Sequence, residues 1–274
     1  MITGHTKLYC IVADPIEHVK TPQMFNAHLQ SIGVDAVLVP VRVSSNDLAS
    51  FITGVRRCHN LQGIVVTVPH KISIVGLCDD LHSTAALIGA ANIVRRESDG
   101  RLIGANFDGI GFLRSLEEAI GSVRGKSVYL AGAGGVGRAI AFGLAGAGVA
   151  RLSIYNRSTN RAVELLKAIQ ERYPDIITNC ADRSPADFDI AINATVLGLR
   201  GGDEVPFSVG ALPPHAVVAD VVMEPIMTPL LVNAKNRGLR VVTGDAMLRL
   251  QLGLWVDFIE GGATAERAPR AKRS

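Results

Sequence analysis

The turn Gly132-Ala133-Gly134-Gly135-Val136-Gly137 limits what this chain can fold into more than any other stretch. Before it, residues 126–131 read as a buried strand; after it, a run of small and apolar residues reads as a buried helix. That is the setting of a dinucleotide-binding turn. Gly132 permits the tight bend, Gly134 lets the backbone come close to a pyrophosphate, and Gly137 lets helix and strand pack closely. The helix start, with Gly135 and Val136, aims N–H groups and a partial positive charge at the phosphates. The competing reading is a glycine turn in an α/β protein that binds nothing.

The next strand decides between them. It ends at Asn156, twenty-four residues after Gly132, where sites for NAD usually place an acidic residue on the ribose hydroxyls. Here the chain reads Asn156-Arg157-Ser158, with Arg161 following. Asparagine removes repulsion against a 2′-phosphate, and Arg157 and Arg161 offer it positive charge. Arginine at a helix start opposes the helix dipole, which favours an anion partner over a plain solvated surface. The expected cofactor is therefore NADP.

Strand and helix patterns alternate on both sides of this turn. Strands are expected at residues 8–13, 36–41, 63–68, 126–131, 152–155, 176–178, 188–192, 216–219 and 239–242, with a hairpin of 92–95 and 102–105 around Ser98-Asp99-Gly100. Helices are expected up to about Ser31, from Leu48 to Val55, from Asp108 to Ile120, from Asn160 to Arg172 and from Ala246 to Ile259. The fold class expected is α/β: an N-terminal α/β substrate domain and a Rossmann NADP-binding domain, with a cleft between them. The expected boundaries are 1–107 for the first domain and 108–240 for the second. Residues 241–262 form a C-terminal helix returning to the first, and 263–274 a disordered basic tail.

Composition narrows the partners. The net charge of +3 is matched by the tail alone, where Arg267, Arg270, Lys272 and Arg273 stand against Glu266. A neutral body gives no reason to expect a nucleic-acid partner. Cys10, Cys58, Cys78 and Cys180 are scattered, and seven histidines show no ligand spacing, so neither disulfides nor a metal is expected. The start has no basic and apolar leader pattern, and Arg138 with several glycines breaks the apolar run at 128–150. The expectation is a cytoplasmic monomer or homodimer with no membrane partner.

Several short motifs in order resemble the shikimate dehydrogenase family over nearly the whole chain. They are Thr67-Val68-Pro69-His70-Lys71, Gly89-Ala90-Ala91-Asn92, Asn106-Phe107-Asp108-Gly109, the glycine turn, Asn156-Arg157-Ser158, Asn193-Ala194-Thr195 and residues 244–251. The resemblance implies reversible oxidation of shikimate, a ring hydroxy acid, to 3-dehydroshikimate with NADP. It implies a catalytic pair, Lys71 and Asp108, and substrate contacts from Thr67, Asn92 and Gln251, the last read as a polar residue within an apolar helix. Gly244, Met247, Thr195 and Val221 resemble positions that approach the nicotinamide. From the residues alone, Lys71 reads first as a surface lysine at a strand end and Asp108 as a helix cap.

The match breaks at the substrate. The family loop H-S-x-S-P reads His18-Val19-Lys20-Thr21-Pro22 here, so Thr21 keeps a hydroxyl and Val19 does not. A tyrosine position is Met223, an asparagine position is Val65, and a threonine position is Phe107. Each unpaired substrate group costs roughly 1–3 kcal/mol. His18, Lys20 and His70 are candidates to compensate by facing a carboxylate. Quinate or another ring hydroxy acid is the alternative substrate, and a non-catalytic NADP-binding sensor is the alternative outside enzymes.

Overall fold

The computed structural model describes residues 1–261, so the basic tail expected to be disordered lies outside the described residues. Its strands are β1 (Lys7–Ala13), β2 (Ala36–Arg42), β3 (Leu61–Val66), β4 (Asp80–Leu81), β5 (Ile93–Arg96), β6 (Leu102–Ala105), β7 (Ser127–Ala131), β8 (Arg151–Tyr155), β9 (Ile177–Cys180), β10 (Ile190–Asn193), β11 (Val217–Asp220) and β12 (Arg240–Val242). Its helices are α1 (Thr21–Ser31), α2 (Leu48–Val55), α3 (Ser83–Ile88), α4 (Asp108–Ile120), α5 (Gly135–Gly146), α6 (Thr159–Arg172), α7 (Pro229–Asn236), α8 (Gly244–Arg249) and α9 (Leu252–Ile259). They form two compact units, Met1–Phe107 with the segment that begins at Gln251, and Asp108–Leu250.

The first unit holds a mixed sheet in the order β2-β1-β3-β5-β6-β4. β1 pairs in parallel with β2 and β3, and β5 runs antiparallel to both β3 and β6. Alternate residues of β1 serve two cores. Cys10 and Val12 pack with Ile64, Val66 and the apolar stripe Leu48, Ile52 and Val55 of α2. On the other side Tyr9 stacks on Phe25 of α1, and Phe25 meets Trp255 of α9 edge-on. Gly63 makes room for α9, since a Cβ there would lie 2.6 Å from Ile259 Cδ1. The end of α9 is fastened by Glu260, which accepts from Lys7 at 2.5 Å and from the Tyr9 hydroxyl at 2.7 Å.

The second unit is a fully parallel sheet in the order β12-β11-β10-β7-β8-β9. Read from β7 outward, this is the doubly wound Rossmann order with its reversal between β7 and β10. The central strands β7, β10 and β11 are buried runs, as the middle of a sheet covered on both faces requires. Tyr129, Phe188 and Phe207 build one core layer with Leu230, Leu231 and Ala234 of α7. On α4, Gly109 faces α5 so closely that a Cβ would stand 2.3 Å from the carbonyl oxygen of Ala139.

Three sequence expectations differ from the structure. The strand expected to reach Val68 ends at Val66, because Thr67 starts the turn into Pro69. The helix expected over 246–259 is two helices: α8 buries Met247 and Leu248 in the second unit, and α9 buries Leu252, Trp255, Phe258 and Ile259 in the first. Apolar periodicity runs on through the break, so it cannot reveal that the two halves serve different cores. Gln251 thus stands at the N-cap of α9 and not inside a helix. Helix α7 is absent from the sequence expectations, although Thr228 as a cap before Pro229 is a start signal: its hydroxyl accepts from Leu231 N–H at 3.3 Å.

The glycines sort by surroundings. Gly109→Ala drives a methyl group into a backbone carbonyl, and is expected to destabilise the protein by about 1–3 kcal/mol. Gly54→Ala, in α2 with no atom near its Cβ position, is expected to stabilise it by about 0.5–1 kcal/mol. Urea unfolding of both variants checks this; equal effects would contradict the packing described for α4 and α5.

Candidate active and cofactor site

The turn after β3 carries Thr67 and Lys71. Thr67 N–H donates to Val12 O at 3.1 Å, and His70 N–H closes the turn on Thr67 O at 2.9 Å. The His70 ring is buried and lies 2.8 Å from Val43 O through Nε2. His70 is thereby corrected from a candidate carboxylate partner to a clamp between two loops. Lys71 is 9% exposed, and its carbonyl accepts from Ala91 N–H at 2.8 Å, which seats it beside Asn92.

Asn92 is buried at the start of β5. Its Oδ1 accepts from Phe107 N–H at 3.0 Å, so its Nδ2 is the group that faces Gln251 Oε1, at 2.7 Å. That bond in turn makes the other half of the Gln251 amide an N–H donor. The first unit therefore holds the Lys71 backbone, through Ala91, beside the hydrogen-bonded pair Asn92 and Gln251. Thr21 is the first residue of α1 and is 5% exposed. Val19 is also buried, in a turn closed by its N–H on Ile16 O at 3.2 Å. Phe107 packs edge-on against Phe258 with ring centroids 5.8 Å apart and lies 5.8 Å from His82. This aromatic core accounts for a large apolar side chain at the position.

In the second unit, Gly132 has φ of 113°, open to glycine and strained for any other residue. A Cβ on Gly137 would lie 2.1 Å from Gly132 O, so helix and turn require glycine there. A Cβ on Gly134 would meet no atom of the described residues within 4 Å. Nothing among the described residues demands glycine at this N-cap of α5; close approach of a phosphate to the backbone would. Gly135, Val136 and Gly137 form the first turn of α5, whose N–H groups have no acceptor within the helix.

Asn156 does more than omit a charge. Its Oδ1 accepts from Ala133 N–H at 3.0 Å and its Nδ2 donates to Ser158 O at 2.9 Å, tying the glycine turn to the end of β8. Arg157 and Arg161 are exposed, and Ser158 caps α6 by position while its hydroxyl makes no capping bond. Asp108 is buried as the first residue of α4, with its carboxylate at the positive end of that helix. Gly244 is pressed on the loop after β11, where a Cβ would lie 2.6 Å from the carbonyl oxygens of both Val221 and Val222. Met247 is buried one turn later.

Three residues to which the sequence assigns no role join this edge of the sheet. Asp220 Oδ1 accepts from Asn193 Nδ2 at 2.9 Å and Val222 N–H at 3.0 Å, and its Oδ2 accepts from the Thr228 hydroxyl at 2.8 Å. Asn193 Oδ1 accepts from Thr195 N–H and hydroxyl at 3.0 and 2.7 Å. A signal for them exists: Asn193 and Asp220 are polar ends of buried parallel strands, where ligands bind in this fold. Among the described residues no cluster of His, Cys, Asp or Glu fits a metal ion, and no helix is long and apolar enough to cross a membrane.

Comparison with known proteins gives a consistent result. A family model described as the shikimate dehydrogenase substrate binding domain matches residues 11–94, and one described as shikimate / quinate 5-dehydrogenase matches 114–197. The chain is 40% identical to the NADP(+) shikimate dehydrogenase of Lysinibacillus sphaericus over 246 residues, covering 88% of this chain and 87% of that protein. It is similar to the shikimate 5-dehydrogenase of Thermus thermophilus solved with NADP(H) and shikimate, with TM-score 0.81 and 29% identity over 93% of this chain and 94% of the other. It is also similar to the 5-ketofructose reductase of a Gluconobacter strain, with TM-score 0.82 and 32% identity over 96% of each chain.

Burial pushes the Asp220 carboxyl up from 3.8 to about 6, against the pull of its hydrogen bonds from Val222, Thr228 and Asn193. The folded state then binds the proton more tightly than the unfolded one. Stability from this group is complete below the unfolded value and is lost as pH rises towards 6, by about 3 kcal/mol. Asp220→Asn is expected to flatten that loss in thermal unfolding between about pH 4 and about pH 7, the window set by the two values. Identical pH dependence in the variant and the wild type would contradict it.

Proposed function

The chain belongs to the shikimate dehydrogenase family, and from that membership and its own side chains we propose that it is an NADP-dependent oxidoreductase interconverting shikimate and 3-dehydroshikimate. The observation that carries this reading is the pairing of a complete dinucleotide turn with Asn156 and Arg157 at the end of β8. A 2′-phosphate is the group that Asn156 tolerates and that the exposed Arg157 and Arg161 attract. The first turn of α5, at Gly135 to Gly137, supplies N–H groups for the pyrophosphate. NADP, when bound, supplies the hydride acceptor.

The protein's task is then to hold the ring and move one proton. Oxidation of a CH–OH group releases a hydride from carbon and a proton from oxygen. Lys71 and Asp108 are the residues proposed to take that proton and return it in the reverse direction. Both are buried, so each meets the substrate with little competing water. Asn92 and Gln251 orient ring hydroxyls: the Asn92–Gln251 bond sets which atoms of the Gln251 amide accept and which donate. Thr67 and the buried hydroxyl of Thr21 add donors of the same kind. Thr195, Val221, Gly244 and Met247 border the nicotinamide half. Thr195 does so without its hydroxyl, which donates to Asn193 and accepts from Leu197 N–H at 3.1 Å.

Quinate is a second substrate reading, favoured by Val19. An apolar, buried side chain replaces a hydroxyl where the family loop carries serine, so the ring acid is held with fewer polar contacts. Family membership keeps shikimate first.

Steady-state reduction of NADP tests both parts. Lys71→Ala is expected to lower kcat with shikimate by about two to four orders of magnitude. A wild-type rate in that variant would remove Lys71 from the chemistry. Arg157→Ala is expected to raise the KM for NADP by about tenfold to a hundredfold and leave that for NAD unchanged. Parallel changes for the two cofactors would contradict the 2′-phosphate reading. A specificity constant for quinate above that for shikimate would favour the second reading.

A further inference from the structure

The polar network at the ends of β10 and β11 has a direction built into it. Asp220 carries only acceptors when ionised, and it takes one N–H of the Asn193 amide. The other N–H of that amide donates to Leu197 O at 3.0 Å. The Asn193 carbonyl oxygen must therefore face Thr195, where it meets two donors, the N–H and the hydroxyl. A flipped Asn193 amide would set donors against donors on one side and acceptors against acceptors on the other. Asp220 thus decides which way Asn193 points, and Asn193 decides where the 194–197 loop sits.

The same carboxylate reaches two more segments. Val222 N–H binds it in the loop after β11, and Thr228 binds it from the cap of α7. Asn193, Asp220 and Thr228 are each at most 1% exposed. Burying a carboxylate without a cationic partner costs stability, and apolar residues of similar size serve a core better. Geometry explains the residue where stability does not.

That geometry bears on the cofactor through topology. The sheet order reverses between β7 and β10, and a dinucleotide lies across that reversal. Arg157 follows β8, on the adenosine side, so the other half of the cofactor extends over the ends of β10 and β11. The 194–197 loop also touches the glycine turn: a Cβ on Gly132 would lie 2.7 Å from Ala194 O and 3.2 Å from the Thr195 methyl. That contact places the 194–197 loop beside the glycine turn, on the side away from Arg157.

We propose that Asp220 is a positioning residue for the nicotinamide half of the cofactor, acting through Asn193 on the loop that carries Thr195. This rests on the NADP reading above. It assigns Asp220 no contact with substrate or cofactor and no share in proton transfer.

Two probes separate the halves of the cofactor. Adenosine 2′,5′-bisphosphate occupies the adenosine side alone, and the fluorescence of bound NADPH reports the surroundings of the nicotinamide. In Asp220→Ser, affinity for the bisphosphate is expected to stay within about twofold of wild type, while kcat falls by about tenfold to a hundredfold and the NADPH fluorescence change on binding is lost. Asp220→Asn keeps an oxygen for Asn193 and Val222, and is expected to restore both readouts to within about threefold. Should Asp220→Ser not fold, Asn193→Ser breaks the middle link, between Asp220 and Thr195, and is expected to behave alike. A wild-type NADPH signal and kcat in the folded variant would overturn the proposal. So would equal losses of bisphosphate and NADPH binding, which mark general collapse. Failure of the wild type itself to bind the bisphosphate would instead sink the NADP reading and take this proposal with it.

Discussion

Backbone-on-backbone contact at glycine sets the spacing of elements in the second unit, and the proposed cofactor site depends on it. Gly137 rests on the carbonyl of Gly132, Gly132 on that of Ala194, Gly109 on that of Ala139 and Gly244 on those of Val221 and Val222. A Cβ at any of these would stand at 2.1 to 2.7 Å from a backbone oxygen. These contacts fix the distance from α5 to the glycine turn, from α4 to α5, between the loops after β7 and β10, and from α8 to the loop after β11. Glycine has little apolar area to bury, so it contributes geometry more than stabilisation.

Hydrogen bonds then set orientation on top of that spacing. Asn156 ties the glycine turn to β8, and Asp220 ties the loops after β10 and β11. In the first unit Asn92 takes the same part, joining Phe107 and Gln251 to the sheet beside Lys71. In each case an asparagine with both ends of its amide occupied can point only one way. Catalytic geometry of this kind is sensitive to shifts below an ångström, and fully occupied amides are a way to prevent them.

Much of this is legible in the sequence, because local rules govern it. The glycine turn, the alternation of strands and helices, and the Asn156-Arg157 ending follow from spacing and residue type. Other parts are not legible, because they depend on partners far away in the chain. Nothing local distinguishes a helix over 246–259 from two helices serving different cores. Phe107 reads as a missing hydroxyl in the sequence, whereas in the fold Phe258 and His82 stand against it. His70 reads as an available cation, whereas its ring is engaged on Val43 O. Asn193 and Asp220 are visible as polar strand ends, but their bond to each other spans two strands and cannot be read from either.

Hydride transfer between shikimate and NADP is the claim on which the proposed function stands or falls. Shikimate carrying deuterium at the oxidised carbon, incubated with the enzyme and NADP, tests it most directly. One deuterium is expected on C4 of the nicotinamide ring of the NADPH formed, matched by an equal amount of 3-dehydroshikimate. NADPH without deuterium, or ketone formed without NADPH, would contradict it.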